Sequence, residues 1–489
     1  MSDSERLGSV EYEQVDDAYF SQRRLRRHAR VGSLWALGVG AVISGDFFGW
    51  NFGLAAGGFG GLFIATCVIT ILYTGLCFSI AEMTAAMPHT GGAYSFARSS
   101  MGPWGAYITG LAENMEYILT PAVIVVGIGG YLGAIFDTPD AWAPLWWAVV
   151  YGIFVGLNIS GVEITFRFTV VITLLALLIL AVFWVGTLPH VDFERFALDV
   201  PPDPGASRWL PHGIRGVFAA LPFAVWFYLA IEQLPLAAEE SHAPAKDMPR
   251  GILLALLTLT VCAFLTLVLS SSIAPGANAL GSSDEPLFDG LRTIFGDGLG
   301  TRLLALIAVA GLVASFHTII FAYGRQIYSL SRAGYFPRWL SRTHPRRETP
   351  HVALVVGALM GYAVALAIHG LGPESPVGAV LLNLAVFGAV ISYVLQMLSF
   401  ILLRRRLPEI ERPYRSPLGI AGAAIALLIA AVTFVALFSA DPVYQKVAIG
   451  AGIWYVLGLL YFACIGRRHL VYSPEEAFAL KALQKKTNP

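Results

Sequence analysis

Charged residues and cysteines are scarce in this 489-residue chain, and their scarcity narrows the class of protein. Only 13% of the residues are charged, and 32 basic side chains balance 32 acidic ones, so nothing indicates a nucleic-acid partner. Four cysteines lie in apolar runs at spacings that fit neither a zinc site nor a disulfide framework. The first 30 residues are polar and lack an apolar stretch with a cleavage site, so we expect no signal peptide.

Long apolar runs fill most of the remaining sequence. Hydrophobic residues make up 56% of the chain, against about 45–50% in ordinary soluble domains. A helix of about 20 apolar residues crosses a bilayer core of about 30 Å. We therefore predict an all-α membrane protein with 12 transmembrane helices, at residues 33–57, 60–86, 103–135, 143–160, 166–187, 214–240, 250–273, 299–332, 351–369, 377–403, 417–438 and 446–465.

The basic residues predict the orientation of these spans. Arginine and lysine collect on the cytoplasmic side of short loops, and an even number of predicted crossings separates the arginine clusters at 23–30, 338–347, 404–415 and 467–468. This pattern predicts a multi-pass protein of the cytoplasmic membrane with both termini cytoplasmic. The loops on the opposite side carry acidic residues, namely Asp137, Asp140, Asp192, Asp199, Asp284, Glu285 and Asp289.

The spans divide the chain into four parts. We expect a flexible cytoplasmic N-terminal tail at 1–30, a transporter core of helices 1–10 at 31–403, helices 11 and 12 at 404–470, and a cytoplasmic C-terminal amphipathic helix at 471–489. The last helix begins with a helix-start signature at Ser473 and Pro474. It is expected to lie on the membrane or against the cytoplasmic loops.

Two of the spans are predicted to be broken. Span one carries Asp46 among several glycines, and span six carries Pro222 and then Glu232 within an apolar run. Interrupted helices in corresponding positions of two halves are typical of inverted-repeat transporters with a site at the bilayer midplane. The alternative for span one alone is that its glycines only permit close helix packing.

Three motifs at cytoplasmic turns indicate a family. They are PHTGGAY at 88–94, EESHAPAKDMP at 239–249 and RQIYSLSRAGYFP at 325–337. In this order they resemble the amino acid, polyamine and organocation (APC) transporter superfamily over residues 30 to 470, and ISGDFFGWNFGL at 43–54 is similar to its ethanolamine permease branch. The resemblance implies a LeuT-like 5+5 inverted repeat with broken helices 1 and 6, a substrate site between spans one, three, six and eight, and alternating access.

The sequence departs from the family pattern at two positions. Ala243 replaces a usual asparagine on the cytoplasmic surface, and Asp46 stands where members that carry amino acids have the second glycine of the span-one turn. A carboxylate there repels a substrate carboxylate, by about 4 kcal/mol at about 4 Å and an effective dielectric near 20. Our hypothesis is that Asp46, with Ser44, Gly45 and Phe47 of the same turn, binds the ammonium of a small cationic amine. The alternative is that Asp46 caps the second half-helix.

Other acidic residues could share this role. Glu113 and Glu116 lie three positions apart and therefore on one face of span three, and Glu232 follows the break in span six. For Glu232 the alternative is a helix cap, and for Glu116 it is packing against another span. Near the cytoplasmic end of span two, Glu82 is expected to pair with Arg98 or Arg325.

Aromatic and hydroxyl residues complete the candidate site. A cage for an ammonium ion could be formed by aromatic residues near these positions, namely Phe47, Trp50, Tyr117, Trp226, Phe227 and Tyr228. Trp226 and Tyr228 are the strongest candidates because they adjoin the break in span six. Asp46, Ser315, Thr318 and His317 are candidates for coupling to a proton or sodium, although hydroxyls in helices often bond their own backbone. For His317 the alternative is that the buried ring only forms a contact between packed helices. Proton symport, sodium symport and potential-driven uniport all remain open.

Transport of an amine is not the only function that this sequence permits. The same fold could carry amino acids or polyamines. The sequence has no nucleotide-binding glycine loop, zinc-binding histidine pair or nucleophile elbow, so we expect neither an enzyme nor a cofactor or metal site. The C-terminal tail is too short for a signalling domain.

Overall fold

The computed structural model describes residues 4–7, 9–136, 138–283, 285–296, 298–370, 377–439 and 442–487. Asp137 and Asp284, which the sequence assigned to acidic loops, lie outside these residues.

The described chain is mostly helical. Its helices, in chain order, are α1 (Asp17–Ser21), α2 (Val31–Val42), α3 (Phe52–Ala86), α4 (Gly92–Phe136), α5 (Ala143–Ser160), α6 (Val162–Thr187), α7 (Phe193–Phe196), α8 (Gly213–Ala224), α9 (Pro244–Ser271), α10 (Ala277–Leu280), α11 (Pro286–Phe295), α12 (Leu299–Arg332), α13 (His351–Gly370), α14 (Val377–Arg406), α15 (Gly419–Ser439), α16 (Pro442–Cys464) and α17 (Pro474–Thr487).

Nine helical segments in the described residues are long and apolar enough to cross a membrane. They correspond to α3 to α6, α8 with the 3-10 turns that follow it, α9, and α14 to α16. The other three predicted spans fall on α2, α12 and α13. The chain is therefore a multi-pass helical protein, while the count of 12 spans and the inverted repeat stay predictions.

Two helices are interrupted near the middle of the sequence runs that form them. α2 gives way to a 3-10 turn at Ile43–Asp46, and the chain stays irregular until α3 begins at Phe52. α8 gives way to 3-10 turns at Val225–Phe227 and Ile231–Glu240, with Ala230 between them in the left-handed conformation at φ 80°. Both interruptions therefore lie at the candidate site residues.

The first interrupted helix is joined to the next by a glycine kink. Gly58, inside α3, has φ 65° and ψ 179°, a conformation that glycine adopts without steric strain. A Cβ atom there would lie 2.2 Å from Cγ of Pro211. Residues 52–57 therefore form a short half-helix, and residues 59–86 form the long helix that the sequence predicted as span two.

The two chain ends meet in a small sheet. Strands β1 (Ser4–Leu7) and β2 (Val10–Glu13) are antiparallel, and β2 pairs in parallel with β3 (Leu470–Val471). The expectation of a flexible N-terminal tail was therefore wrong for these residues, and the fold departs from a purely α architecture there. Alternation of buried and half-buried residues along Val10–Glu13 lets β2 cover the bundle end.

Ion pairs close the same end of the bundle. Glu82 pairs with Arg404 at 2.5 Å and Arg412 at 3.0 Å, so the predicted pairing with Arg98 or Arg325 was wrong. Those two arginines contact Glu476 and Glu240 instead, at 2.6 and 2.8 Å. Sequence distance gave no indication of these partners, because they come from turns and a tail more than 80 residues away.

Candidate substrate site

The two interruptions pack directly against each other. A Cβ atom on Gly45 would lie 1.9 Å from the Trp226 carbonyl oxygen, so only glycine allows this approach. The Phe48 and Trp226 rings lie 5.9 Å apart, and Trp50 stacks on Phe227 at 5.5 Å. The backbone breaks of the two helices therefore form one buried junction.

Asp46 lies at this junction without a hydrogen-bond partner. Its side chain is 1% exposed, and neither carboxylate oxygen makes a hydrogen bond within the described residues. Thr266 and Cys262 of α9 and Tyr228 of the second interruption lie close to it, but the Thr266 hydroxyl does not reach normal hydrogen-bond geometry. Asp46 does not cap the second half-helix in this conformation, because no backbone N–H of the described residues donates to its carboxylate.

Ser44 and Ser315 tie the first interruption to α12. The Ser44 N–H donates to Ser315 Oγ at 3.0 Å, and the Ser315 hydroxyl donates to the Gly40 carbonyl at 2.9 Å. The Thr318 hydroxyl donates to its own helix at Ala314, 2.8 Å away. In this conformation the Ser315 and Thr318 hydroxyls therefore both donate to backbone carbonyl groups.

The aromatic candidates point in different directions. The Phe47 ring packs on Gly311 of α12. Tyr228 stacks on Tyr73 of α3 at 4.9 Å, and its hydroxyl lies 2.7 Å from that of Thr70. Tyr228 lies near Asp46, and the Trp226 ring packs on Phe48 and Gly49 of the same turn, whereas Tyr117 is bonded to Glu113. Only part of the aromatic cage expected from the sequence is assembled.

Three glutamates form a second buried group. Glu113 accepts hydrogen bonds from the Gln326 amide at 2.7 Å and the Tyr117 hydroxyl at 3.4 Å. Glu116 and Glu232 lie against each other, and none of their four oxygens has a partner of normal geometry in the described residues. The Tyr393 hydroxyl, bonded to that of Tyr73 at 2.7 Å, lies next to Glu232.

His317 lies outside both groups. The Asn158 side-chain amide donates to His317 Nδ1 at 3.1 Å, and His317 Nε2 lies 3.4 Å from the Thr165 carbonyl. The ring packs against Phe168 at 4.8 Å. These contacts assign the proton to Nε2 and make His317 a link between α12, α5 and α6, which is the helix-contact alternative given above.

Several residues near the two groups were missed by the sequence analysis. They are Thr70, Tyr73, Thr266, Gln326 and Tyr393. Aromatic and hydroxyl side chains in apolar helices usually pack or bond their own backbone, so no local signal marks Thr70, Tyr73, Thr266 or Tyr393. Gln326 stood in a quoted motif but was assigned to a turn.

The candidate site is closed in this conformation. Asp46, Glu116, Glu232 and Tyr228 are each at most 1% exposed. A polytopic helical protein with two facing helix breaks and unpartnered carboxylates at the break belongs to the class of membrane transporters.

Comparison with known proteins identifies the family. Residues 31–464 match the amino acid permease family model, and the chain belongs to this family, within the APC superfamily. It is 31% identical to an uncharacterised transporter of Rhizobium meliloti (strain 1021) over 423 residues, covering 85% of this chain and 87% of the relative.

Two relatives with named substrates are more distant. A branched-chain amino acid permease of Bacillus subtilis (strain 168) is 25% identical, covering 92% of this chain and 95% of its own length. A methylthioribose transporter of the same organism is 23% identical, covering 92% and 96%. The two relatives are about equally distant from this chain, yet their named substrates differ. Membership of the family therefore indicates transport but does not identify the substrate, which depends on the residues of the site.

Proposed function

We propose that this protein is a secondary active transporter that imports a small amine, ethanolamine in the first place, across the cytoplasmic membrane by alternating access. Asp46 is the counter-ion of the substrate ammonium. Ser44 and Gly45 form the turn that holds it, and Trp226 and Tyr228 supply ring faces that attract a cation by about 0.5–2 kcal/mol. Both termini lie on the cytoplasmic side.

The Asp46 carboxylate carries this proposal. It is almost fully buried and has no hydrogen-bond partner in the described residues. A carboxylate at membrane depth costs several kcal/mol unless a partner balances it. An ammonium group supplies both the charge and the hydrogen-bond donors that Asp46 lacks, whereas a substrate carboxylate adds repulsion.

Uptake of labelled ethanolamine into proteoliposomes tests the role of Asp46. We expect Asp46→Asn to raise KM at least about tenfold, since the loss of one charge pair of about 1.4 kcal/mol has that effect. Asp140→Asn removes an exposed carboxylate and should leave KM unchanged. Wild-type affinity in Asp46→Asn would exclude the counter-ion role.

Amino acid transport is the second candidate, and it is supported by the branched-chain amino acid permease among the relatives. Competition by ethanolamine, choline, alkylamines, serine and leucine in the same assay separates the two candidates. The amine proposal predicts that the amines compete at concentrations where serine and leucine do not. The reverse order would favour an amino acid carrier.

A further inference from the structure

Glu116 and Glu232 bring two carboxyl groups together in the protein interior. Glu116 belongs to α4 and Glu232 to the 3-10 turn Ile231–Glu240 after the second interruption. Both side chains are at most 1% exposed, they face each other, and neither forms an ion pair within the described residues. Glu113, one turn earlier on α4, differs because Gln326 and Tyr117 donate to it.

Among the described residues, the basic side chains on the helices around this pair are bonded elsewhere or exposed. α2, which packs on the 3-10 turn, has no titratable residue. On α12, Gln326 is neutral, Arg325 is bonded to Glu240, and Arg332 is bonded to Glu239 and Glu475. On α9, Lys246 and Arg250 are exposed, and Asp247 accepts hydrogen bonds from Ser241 and Ala243 at the helix start. The titratable groups that face the pair can only be neutral or negatively charged. They are Tyr73 and Cys77 of α3, Glu113 and Tyr117 of α4, and Tyr393 of α14.

Two carboxylates in contact cannot both be ionised in such an environment. At about 4 Å their repulsion is roughly 4 kcal/mol even at an effective dielectric of 20, and neighbouring carboxyl groups of this kind share one proton. A proton between the two oxygens converts the repulsion into a hydrogen bond. The chemistry of the pair therefore fits a proton as its ligand.

The position of the pair connects this proton to conformational change. One carboxyl group is on the long helix α4, and the other is on the interrupted segment that also carries Tyr228 and contacts the Asp46 turn. Loss of the proton would leave two negative charges in contact and push the interrupted segment away from α4. We propose that Glu116 and Glu232 together bind one proton that is carried with the substrate, which makes the protein a proton-coupled symporter.

This inference rests on the proposed transport function and can be tested apart from the choice of substrate. Proteoliposomes with the membrane potential clamped at zero are given a pH gradient of one unit, alkaline inside, and protein-free liposomes correct for passive diffusion of ethanolamine. With one proton per substrate, the wild type should accumulate ethanolamine up to about tenfold. Vesicles loaded with a pH dye should acidify when substrate is added outside.

Glutamine variants test the proton site directly. Glu116→Gln and Glu232→Gln mimic a permanently protonated pair, so we expect a pH gradient to produce neither the roughly tenfold accumulation nor substrate-driven acidification in either variant; exchange of labelled for unlabelled ethanolamine at equal pH, measured alongside, identifies a variant that does not transport at all. Glu163→Gln, at an exposed ion pair with Arg167, should keep both. Where a variant does not fold, the dye measurement on the wild type decides.

The outcomes distinguish the two proposals. Exchange without accumulation or acidification in the wild type would overturn the proton site and leave the transport function intact. If ethanolamine is not exchanged at all, the amine proposal fails, and the same two measurements with leucine decide the proton site. Accumulation that persists in both glutamine variants would also overturn it.

Discussion

Gly45 is the residue at which the two helix interruptions come closest. Because its missing side chain leaves room for the Trp226 carbonyl, a Cβ atom would lie only 1.9 Å from that oxygen. We expect Gly45→Ala to force the breaks apart and to lower the free energy of unfolding by at least about 2 kcal/mol, with loss of substrate exchange. Thermal unfolding of the purified protein measures the first effect.

Gly152→Ala is a matched control for this substitution. Gly152 lies in α5, and a Cβ atom there would meet nothing within 4 Å. Alanine at a helical position is favoured over glycine by up to about 1 kcal/mol, so this variant should be as stable as the wild type or more stable. Equal melting of both variants would show that the junction tolerates displacement.

Residues differ in how visible they are from the sequence. Asp46, Glu116 and Glu232 stand out because a carboxylate in an apolar run is costly and therefore rare. The sequence could not show that Glu116 meets Glu232 while Glu113 meets Gln326, since this depends on how α4 is rotated against its neighbours. Spacing along one helix defines a shared face, and only packing decides which partner each residue on that face finds.

Among the elements, α2 and α12 are joined through one hydroxyl. Ser315→Ala would leave the Ser44 N–H and the Gly40 carbonyl without their partner. Since each buried unpaired group costs about 1–3 kcal/mol, we expect a clear loss of thermal stability and a changed exchange rate. Ser399 bonds only its own helix at the Leu395 carbonyl, at 2.7 Å, so Ser399→Ala should have a much smaller effect on both. Equal effects of the two substitutions would contradict a special role for Ser315.

Helices and chain ends were predicted with different success. The apolar runs predicted the positions of most helices closely, because a run of about 20 apolar residues has few stable arrangements other than a helix. The polar starts of two helices were missed: α4 begins at Gly92 and α9 at Pro244, before the predicted positions 103 and 250. The strands β1 and β2 were missed because the stretch that forms them is polar. β1 pairs only with the neighbouring β2, and β2 is tied to the bundle by pairing with Leu470–Val471 at the far end of the chain. Long-range pairing of this kind leaves no local pattern.

For the whole molecule, the chain ends form a cover over one face of the bundle. β3 pairs with β2, and α17 begins with two fully buried glutamates. Glu475 contacts Arg332 of α12 at 2.5 Å, and Glu476 contacts Arg98 of α4 at 2.6 Å. These helices also carry residues of the candidate site, so docking of the tail holds their ends together while the site is closed.

This docking should depend on pH through Glu475. Burial raises the pKa of its carboxyl, but the Arg332 charge, the nearby His89 and hydrogen bonds from Arg332 and the backbone together outweigh burial and hold the pKa at about 2, below its ordinary value of 4.5. A carboxyl whose pKa is lowered on folding stabilises the docked tail above about pH 4.5, and this contribution is lost as the pH falls from there toward 2. We expect hydrogen-exchange protection of residues 474–480, corrected for intrinsic rates, to fall over that range.

Substitution of the same residue removes the titration. Glu475→Gln should reduce protection of residues 474–480 already at pH 7, because Arg332 loses one of its two carboxylate partners, Glu239 being the other. Its protection should then change less than that of the wild type between pH 7 and 3. Glu409→Gln, at an exposed turn, should behave as the wild type. Unchanged protection in Glu475→Gln at neutral pH would mean that strand pairing alone holds the tail, and the pH dependence would then have to come from another group.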